Sequence, residues 1–177
     1  MFVNNKKIKY FYFGNNLENT VNLLKYKNIS FIYIWDKKST KDQVFTIKKF
    51  CKKNKIKFYI SNNIWMANLI KADGIHIPSK KKTLILNVNN MDIIGTVYSQ
   101  KDYYIKKNQK CTAVFLSPLF ETKKYSINKT LGPVKFNLIS KNWSINSYAL
   151  GGIKKNNLNK INLIKCRGIG GISFIED

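Results

Sequence analysis

The sequence has few acidic residues, a single histidine and a single arginine. The chain has nine carboxylates and 32 basic residues, of which only Arg167 is an arginine. Its formal net charge is +23. Proteins that read nucleic-acid bases and phosphates in detail rely on the guanidinium fork of arginine. The lysines are spread along the chain with many Asn and Ile, which is typical of an AT-rich coding sequence. The excess charge therefore indicates compositional bias and solubility rather than a dedicated polyanion surface, and metabolite phosphates are the anions that would benefit from it.

Cysteines are few, and long hydrophobic runs are absent. Cys51, Cys111 and Cys166 lie more than 50 residues apart, so no CxxC or similar metal spacing exists. A catalytic cysteine would need His76 as its base, and reduced core thiols are the simpler interpretation. No apolar run reaches the roughly 18 to 20 residues of a membrane helix or resembles a signal peptide. We therefore expect a cytoplasmic protein without a membrane partner.

The chain does contain eight short apolar runs at fairly even intervals. They are rich in β-branched and aromatic residues and are apolar nearly throughout, as in parallel strands that are buried on both faces. Stretches that can form helices separate most of them. The eight predicted strands are residues 8–13, 29–35, 56–60, 73–77, 91–97, 112–117, 147–150 and 168–175.

Alternation of strands and helices, without a linker or a low-complexity tract, predicts one α/β domain over residues 1–177. Eight strands favour a closed (β/α)₈ TIM barrel, shortened because about 250 residues is typical of that fold. Residues 78–87 leave room for barely two helical turns, and we expect the last helix to be absent. An open doubly wound sheet is the alternative, although Gly14 after the first strand stands alone, without a GxGxxG motif.

Two glycine pairs mark predicted strands seven and eight, in ALGGI (149–153) and GIGGISF (168–174). Glycine lets backbone amides approach a ligand, and in barrels a phosphate often lies between these two loops. Lys123 and Lys124, in the loop after strand six, could neutralise a second anionic group. Tight turns and solvated lysines are the alternative interpretation of the same residues.

Four strings carry a resemblance to a known family: ADGIHI (72–77), SPLFETKKYSINKTLG (117–132), ALGGI (149–153) and GIGGISFI (168–175). In this order and spacing they resemble the thiamine phosphate synthase and TenI family, from about Ile29 to the end of the chain. The resemblance implies a (β/α)₈ barrel. Synthase members join hydroxymethylpyrimidine pyrophosphate to a thiazole phosphate with the help of Mg²⁺, whereas TenI members isomerise a thiazole carboxylate phosphate.

The resemblance also implies roles for individual residues. The thiazole phosphate would lie on amides of the two glycine-containing loops, the loop Thr and Lys after strand six would hold phosphate groups, and an Asn after strand three would meet the pyrimidine. The implied substrate-binding residues are Asn62, Ser117, Thr122, Lys123, Gly151, Gly152, Ile172 and Ser173, and the implied catalytic residues are Lys37 and Lys123.

The sequence departs from the family pattern at several positions. Trp35 stands where the pattern has Arg, Asn63 stands at the first metal-binding Asp, and the second such Asp falls near Lys80 and Lys81. The resemblance implies Mg²⁺ as a cofactor, but no residue here is predicted to bind a metal. The catalytic His of TenI members is replaced by SPLF. His76 is thus the remaining candidate acid or base, with a hydrogen-bonded core residue as the alternative.

We therefore expect a thiamine phosphate synthase-like transferase that acts on small phosphorylated substrates. A non-catalytic binder of thiazole phosphate that has lost the metal site is the alternative. A lysine-rich nucleic-acid-binding protein is a further alternative, and the sequence makes no prediction of the oligomeric state.

Overall fold

Eight parallel strands close into one barrel in the computed structural model, which describes residues 8–16, 18, 20–83, 88 and 90–176. Each strand pairs with the next, and the last pairs with the first, so the predicted TIM barrel is confirmed and the open sheet is excluded. The strands are β1 (Lys9–Gly14), β2 (Ile29–Ile34), β3 (Lys57–Ser61), β4 (Gly74–Ile77), β5 (Asp92–Val97), β6 (Ala113–Leu116), β7 (Asn146–Leu150) and β8 (Gly168–Gly171).

Helices follow most strands but several are short. They are α1 (Thr20–Leu23), α2 (Lys41–Lys53), α3 (Ile64–Leu69), α4 (Gln100–Asn108), α5 (Gly132–Ser140) and α6 (Ser173–Glu176). Within the described ranges, none of these helices has both the length and the hydropathy that a membrane crossing requires.

Two connections differ from the expectation. The stretch between β7 and β8 is a 3₁₀ segment, Lys155–Leu163, rather than an α-helix. After β8 the chain turns into α6, so residues 172–175 are not strand, and the last helix is reduced to this single turn. Residues 84–87, which belong to the short helix predicted after strand four, lie outside the described residues.

The longest helix, α2, shows how the sequence sets a boundary and a buried face. Thr40 caps its N-terminus: the Thr40 hydroxyl accepts from the Gln43 amide, and the Gln43 side chain accepts from the Thr40 amide. Val44, Ile47 and Cys51 recur at helical spacing and are buried. This stripe packs the helix against the outer side of the sheet.

Aromatic rings fill the inside of the barrel. Phe11, Phe13, Tyr59, Phe115 and Tyr148 belong to one buried cluster that is separate from the outer shell beneath the helices. Phe11 and Phe115 meet edge to face, with centroids 5.2 Å apart and planes at 88°. The interior is thus a packed core rather than a pore.

A buried lysine holds the connection after β4. Lys106 of α4 is fully buried, and its Nζ donates to the carbonyls of Pro78 (2.9 Å) and Lys81 (2.7 Å) and to the Gln109 side chain (2.9 Å). Gln109 in turn donates to the carbonyls of Lys81 and Thr83. Burial lowers the pKa of Lys106, and these acceptors replace the water that it has lost. The loop after β4 is therefore tied to α4.

The turn after β7 requires glycine at position 152. Gly152 has φ +68°, and a Cβ added there would overlap the Glu121 carbonyl oxygen and lie 2.6 Å from the Phe120 carbonyl carbon. The Phe120 amide donates to the Gly151 carbonyl over 3.0 Å, so the turn and the loop after β6 touch through their backbones. Neither partner can move aside as a flexible side chain would.

We expect Gly152→Ala to destabilise the fold by about 2 to 4 kcal/mol, since it combines a left-handed backbone with a clash against main chain. Gly132 also has a positive φ (+60°), but a Cβ there meets nothing within 4 Å. Gly132→Ala is therefore the matched control, with an expected cost of about 1 kcal/mol. Urea unfolding measures both, and equal losses in the two variants would show that the backbone contact is unimportant.

Candidate functional site

A cavity of about 1020 Å³ opens at the carboxyl end of the barrel. Phe13, Ile34 and Leu150, near the ends of β1, β2 and β7, contribute apolar side chains to it. The connections after β6, β7 and β8 form the rest of its lining. A cavity with an apolar side and a polar rim at this end of a barrel is a typical ligand site.

Six of the residues predicted from the sequence to bind substrate line this one cavity. They come from three different connections, which meet only because the barrel closes. The six are Thr122, Lys123, Gly151, Gly152, Ile172 and Ser173.

The loop after β6 presents Thr122 and Lys123 to the cavity in a fixed turn. The Thr122 and Tyr125 amides each donate to the other's carbonyl, over 2.9 and 3.2 Å. The Thr122 hydroxyl oxygen accepts from the amides of Lys124 and Tyr125, which leaves its proton available to a ligand oxygen. Lys124 does not line the cavity, and its ammonium lies over the Tyr125 ring, 5.4 Å from the centroid.

The 3₁₀ segment after β7 supplies residues that the sequence reading missed. Lys154, Asn156, Asn157 and Lys160 all line the cavity. Asn157 accepts from the Lys154 amide (2.9 Å) and donates to the Gly152 carbonyl (2.8 Å), so it fixes the shape of the turn. The sequence predicts this stretch as one of the helical connections between strands, and that prediction gives no reason to place its side chains in the site. One sequence signal could have identified these residues: they follow the glycine pair closely in the chain.

Outside the cavity lie four other predicted residues: Lys37, Asn62, Ser117 and His76. Lys37 and Asn62 are exposed near the carboxyl ends of β2 and β3, and the Asn62 amide donates to the His76 carbonyl over 2.9 Å. Ser117 is buried, with its amide bonded to the Val97 carbonyl (3.1 Å). The cavity therefore gathers six of the eight predicted substrate-binding residues and leaves out Ser117 and the predicted pyrimidine-binding Asn62.

His76 is enclosed in the barrel interior with both ring nitrogens occupied. Nδ1 lies 2.9 Å from the Ser61 hydroxyl and Nε2 lies 2.7 Å from the Thr96 hydroxyl. Phe13 packs edge to face on the ring at 5.3 Å. Burial lowers the pKa of His76 to about 3, and the charge of Lys106 acts in the same direction. This geometry favours a neutral core residue over an acid or base that reaches the cavity.

The donor set on the far side of the barrel mouth does not fit Mg²⁺. The Asn63 side chain caps α3 by accepting from the Met66 amide over 2.9 Å, and Lys80 is exposed after β4. Among the residues that the structure describes, no three His, Cys, Asp or Glu side chains are close enough together to hold a metal ion. Mg²⁺ prefers carboxylate oxygens and keeps strict octahedral geometry, which amides and lysines cannot supply here.

A second, smaller cavity of about 450 Å³ lies at the amino end of the barrel. Its Asp92 carboxylate accepts from both Lys57 (3.2 Å) and Tyr59 (2.9 Å). The hydrogen-bonding groups of Asp92, Lys57 and Tyr59 are therefore paired with one another. The carboxyl end, where barrel enzymes carry their sites, is the stronger candidate.

Comparison with known proteins identifies the family of the chain. Residues 12–175 match the family described as thiamine monophosphate synthase, TMP-TENI. The chain belongs to the thiamine monophosphate synthase family. The resemblance predicted from the four sequence strings is thereby confirmed.

Individual members of the thiamine monophosphate synthase family match at moderate identity. A thiamine-phosphate synthase of Prochlorococcus marinus subsp. pastoris is 30% identical over 80% of this chain, and a putative thiamine-phosphate synthase 2 of Aquifex aeolicus is 24% identical over 93%. This chain covers 92% of the Aquifex protein but spans only about 40% of the length of the Prochlorococcus one. The thiamine phosphate pyrophosphorylase structure from Pyrococcus furiosus shares the fold, with TM-score 0.77, 17% identity, and coverage of 94% of this chain and 86% of that one.

The buried His76 predicts a loss of stability in mild acid. Its pKa is about 3 in the folded chain, against about 6.5 when unfolded, so below pH 6.5 the unfolded chain binds a proton that the folded chain does not. The free energy of unfolding should fall by about 2 kcal/mol between about pH 7 and about pH 5, above the range where ordinary carboxylates titrate.

Denaturant unfolding across this pH range measures the slope, and His76→Asn is the control. Because His76 is the only histidine, the variant should lose the slope whatever its overall stability. A wild-type free energy that stays constant from pH 7 to pH 5 would contradict a neutral, enclosed His76.

Proposed function

We propose that this chain is a thiamine phosphate synthase, joining hydroxymethylpyrimidine pyrophosphate to a thiazole phosphate with release of pyrophosphate. The observation that carries the proposal is the convergence of Thr122, Lys123 and the two glycine-containing connections on one cavity, in a member of this family. The activity is proposed rather than transferred, because the chain spans less than half of the Prochlorococcus relatives.

The thiazole phosphate binds at the backbone of Gly151, Gly152, Ile172 and Ser173 in this proposal. These residues line the cavity, and amides that are not covered by large side chains can donate to phosphate oxygens. The apolar side chains of Phe13, Ile34 and Leu150 provide a surface for the heteroaromatic ring. One ligand with an anionic end and an apolar ring would thus match both parts of the cavity.

The reaction breaks the bond between the pyrimidine methylene carbon and the pyrophosphate oxygen, and the leaving pyrophosphate takes the electron pair. The thiazole nitrogen then donates its lone pair to the methylene carbon, forming the new C–N bond. Lys123 lines the cavity, and its positive charge stabilises the charge that develops on the leaving pyrophosphate. Lys37 would have to approach from outside the cavity to act with it.

A second candidate is a protein that binds the thiazole phosphate without turnover. Two observations favour it: Lys37 and Asn62 lie outside the cavity, and the metal donors are unsuitable, whereas the predicted glycine-containing connections do line the cavity. In both cases the partners are small phosphorylated molecules. The cytoplasmic location stays a prediction.

Incubation of the purified chain with both substrates, followed by measurement of thiamine phosphate, tests the proposal. We expect product from the wild type, and we expect Lys123→Gln to lower kcat/KM at least about tenfold, because about 1.4 kcal/mol of transition-state stabilisation is a factor of ten. Lys129→Gln, an exposed lysine of the same connection that does not line the cavity, should stay within about twofold.

Absence of thiamine phosphate above the enzyme-free background would reject the synthase. Saturable stabilisation of the same inactive protein by thiazole phosphate in a thermal-shift titration would then support the second candidate.

A further inference from the structure

Most of the carboxylates that the structure describes lie away from the cavity. Of the nine, Glu176 and Asp177 lie outside the described side chains, and among the remaining seven only Glu121 lines the cavity. Asp73 accepts from Lys48 and the Phe58 amide, each over 2.9 Å, and Asp92 is paired at the amino end of the barrel. These two contribute to the fold rather than to a ligand site.

Two further carboxylates, which follow β2 and β5, are also engaged by neighbouring loop residues. Asp102, in the first turn of α4, accepts from the Tyr98 amide (2.9 Å) and the Ser79 hydroxyl (3.2 Å). Asp36, after β2, accepts from the Lys38 amide (2.9 Å) and the Ser39 hydroxyl (3.1 Å). These hydrogen bonds hold the pKa of Asp36 below its usual range and stabilise its charge locally. Within the part of the chain that the structure describes, neither residue belongs to a group of three or more His, Cys, Asp or Glu side chains that could hold a metal ion.

Among the described residues, lysines outnumber carboxylates in the lining of the cavity. Lys123 approaches from the connection after β6, and Lys154 and Lys160 approach from the 3₁₀ segment after β7. Asn157 ties the Lys154 backbone to Gly152, so Lys154 is held next to the glycine turn. Three lysines against Glu121 give the cavity lining a net positive charge.

We propose that Lys154 and Lys160, together with Lys123, neutralise the phosphates of the bound ligand, and that this cavity binds phosphate or pyrophosphate groups without a divalent cation. A divalent cation in such a site serves to spread the negative charge of a leaving group. Mobile ammonium groups do the same without a fixed coordination geometry. The identity of the ligand rests on the proposed function, whereas the absence of a cation requirement rests on the distribution of lysines and carboxylates.

Calorimetric titration of the full chain with inorganic pyrophosphate, in EDTA and then with excess Mg²⁺, tests the inference. At about 0.15 M salt, where long-range attraction is screened, we expect one pyrophosphate per chain and an affinity in EDTA within about threefold of that with Mg²⁺. Lys154→Gln and Lys160→Gln should each weaken binding about five- to tenfold in EDTA.

Lys155→Gln is the matched control, because Lys155 is exposed on the same 3₁₀ segment but does not line the cavity. It should change the affinity by less than about twofold. Three results would overturn the inference: affinity more than about tenfold weaker in EDTA, no binding in either buffer, or a loss in Lys155→Gln equal to that in Lys154→Gln.

Failure of this inference and failure of the proposed function remain distinguishable, because pyrophosphate binding needs no turnover. Cation-free pyrophosphate binding without formation of thiamine phosphate would support the inference and reject the synthase. Formation of thiamine phosphate together with binding that needs Mg²⁺ would do the reverse.

Discussion

The filled interior of the barrel is the constraint on which the other features depend. The ring of Phe115 lies between 5.2 and 6.1 Å from the rings of Phe11, Phe13, His76 and Tyr148, which come from three other strands. Because these rings must pack on one another, the eight short strands close around them and bring the ends of β6, β7 and β8 together. Phe13 connects the core with the candidate site, since it packs in the core and also lines the cavity.

The distribution of charged side chains follows from the small number of carboxylates. With nine carboxylates in the chain, those at Asp73, Asp92 and Asp102 are used in hydrogen bonds that fix loops and strand ends. The lysines are plentiful, and several of them line the cavity. These lysines are not among those that hold the fold together. The result is a cavity of about 1020 Å³ that is lined by several lysines, with a poor set of metal donors, in a family for which the sequence resemblance implies Mg²⁺.

Much of this was predictable from the sequence because the decisive signals are local. Parallel strands buried on both faces appear as continuous apolar runs, and glycine pairs at strand ends mark the approach of backbone to ligand. What could not be predicted depends on contacts between distant segments. The apolar spacing of Leu158 and Ile161 fits an α-helix as well as the observed 3₁₀ segment, so Lys154 and Lys160 were overlooked. The clash that requires Gly152 involves Phe120, and the hydroxyls that occupy His76 come from neighbouring strands.

The central claim is that a phosphate-bearing ligand is held between the turn after β7 and the start of α6. Amide ¹⁵N–¹H chemical-shift mapping during titration with thiazole phosphate tests it most directly, because it reports each backbone donor separately. We expect the largest shifts at Gly151, Gly152, Ile172 and Ser173. The Asp92 amide, at the opposite end of the barrel, should change little. Largest shifts around Asp92, or weak shifts distributed over lysines across the whole surface, would contradict it.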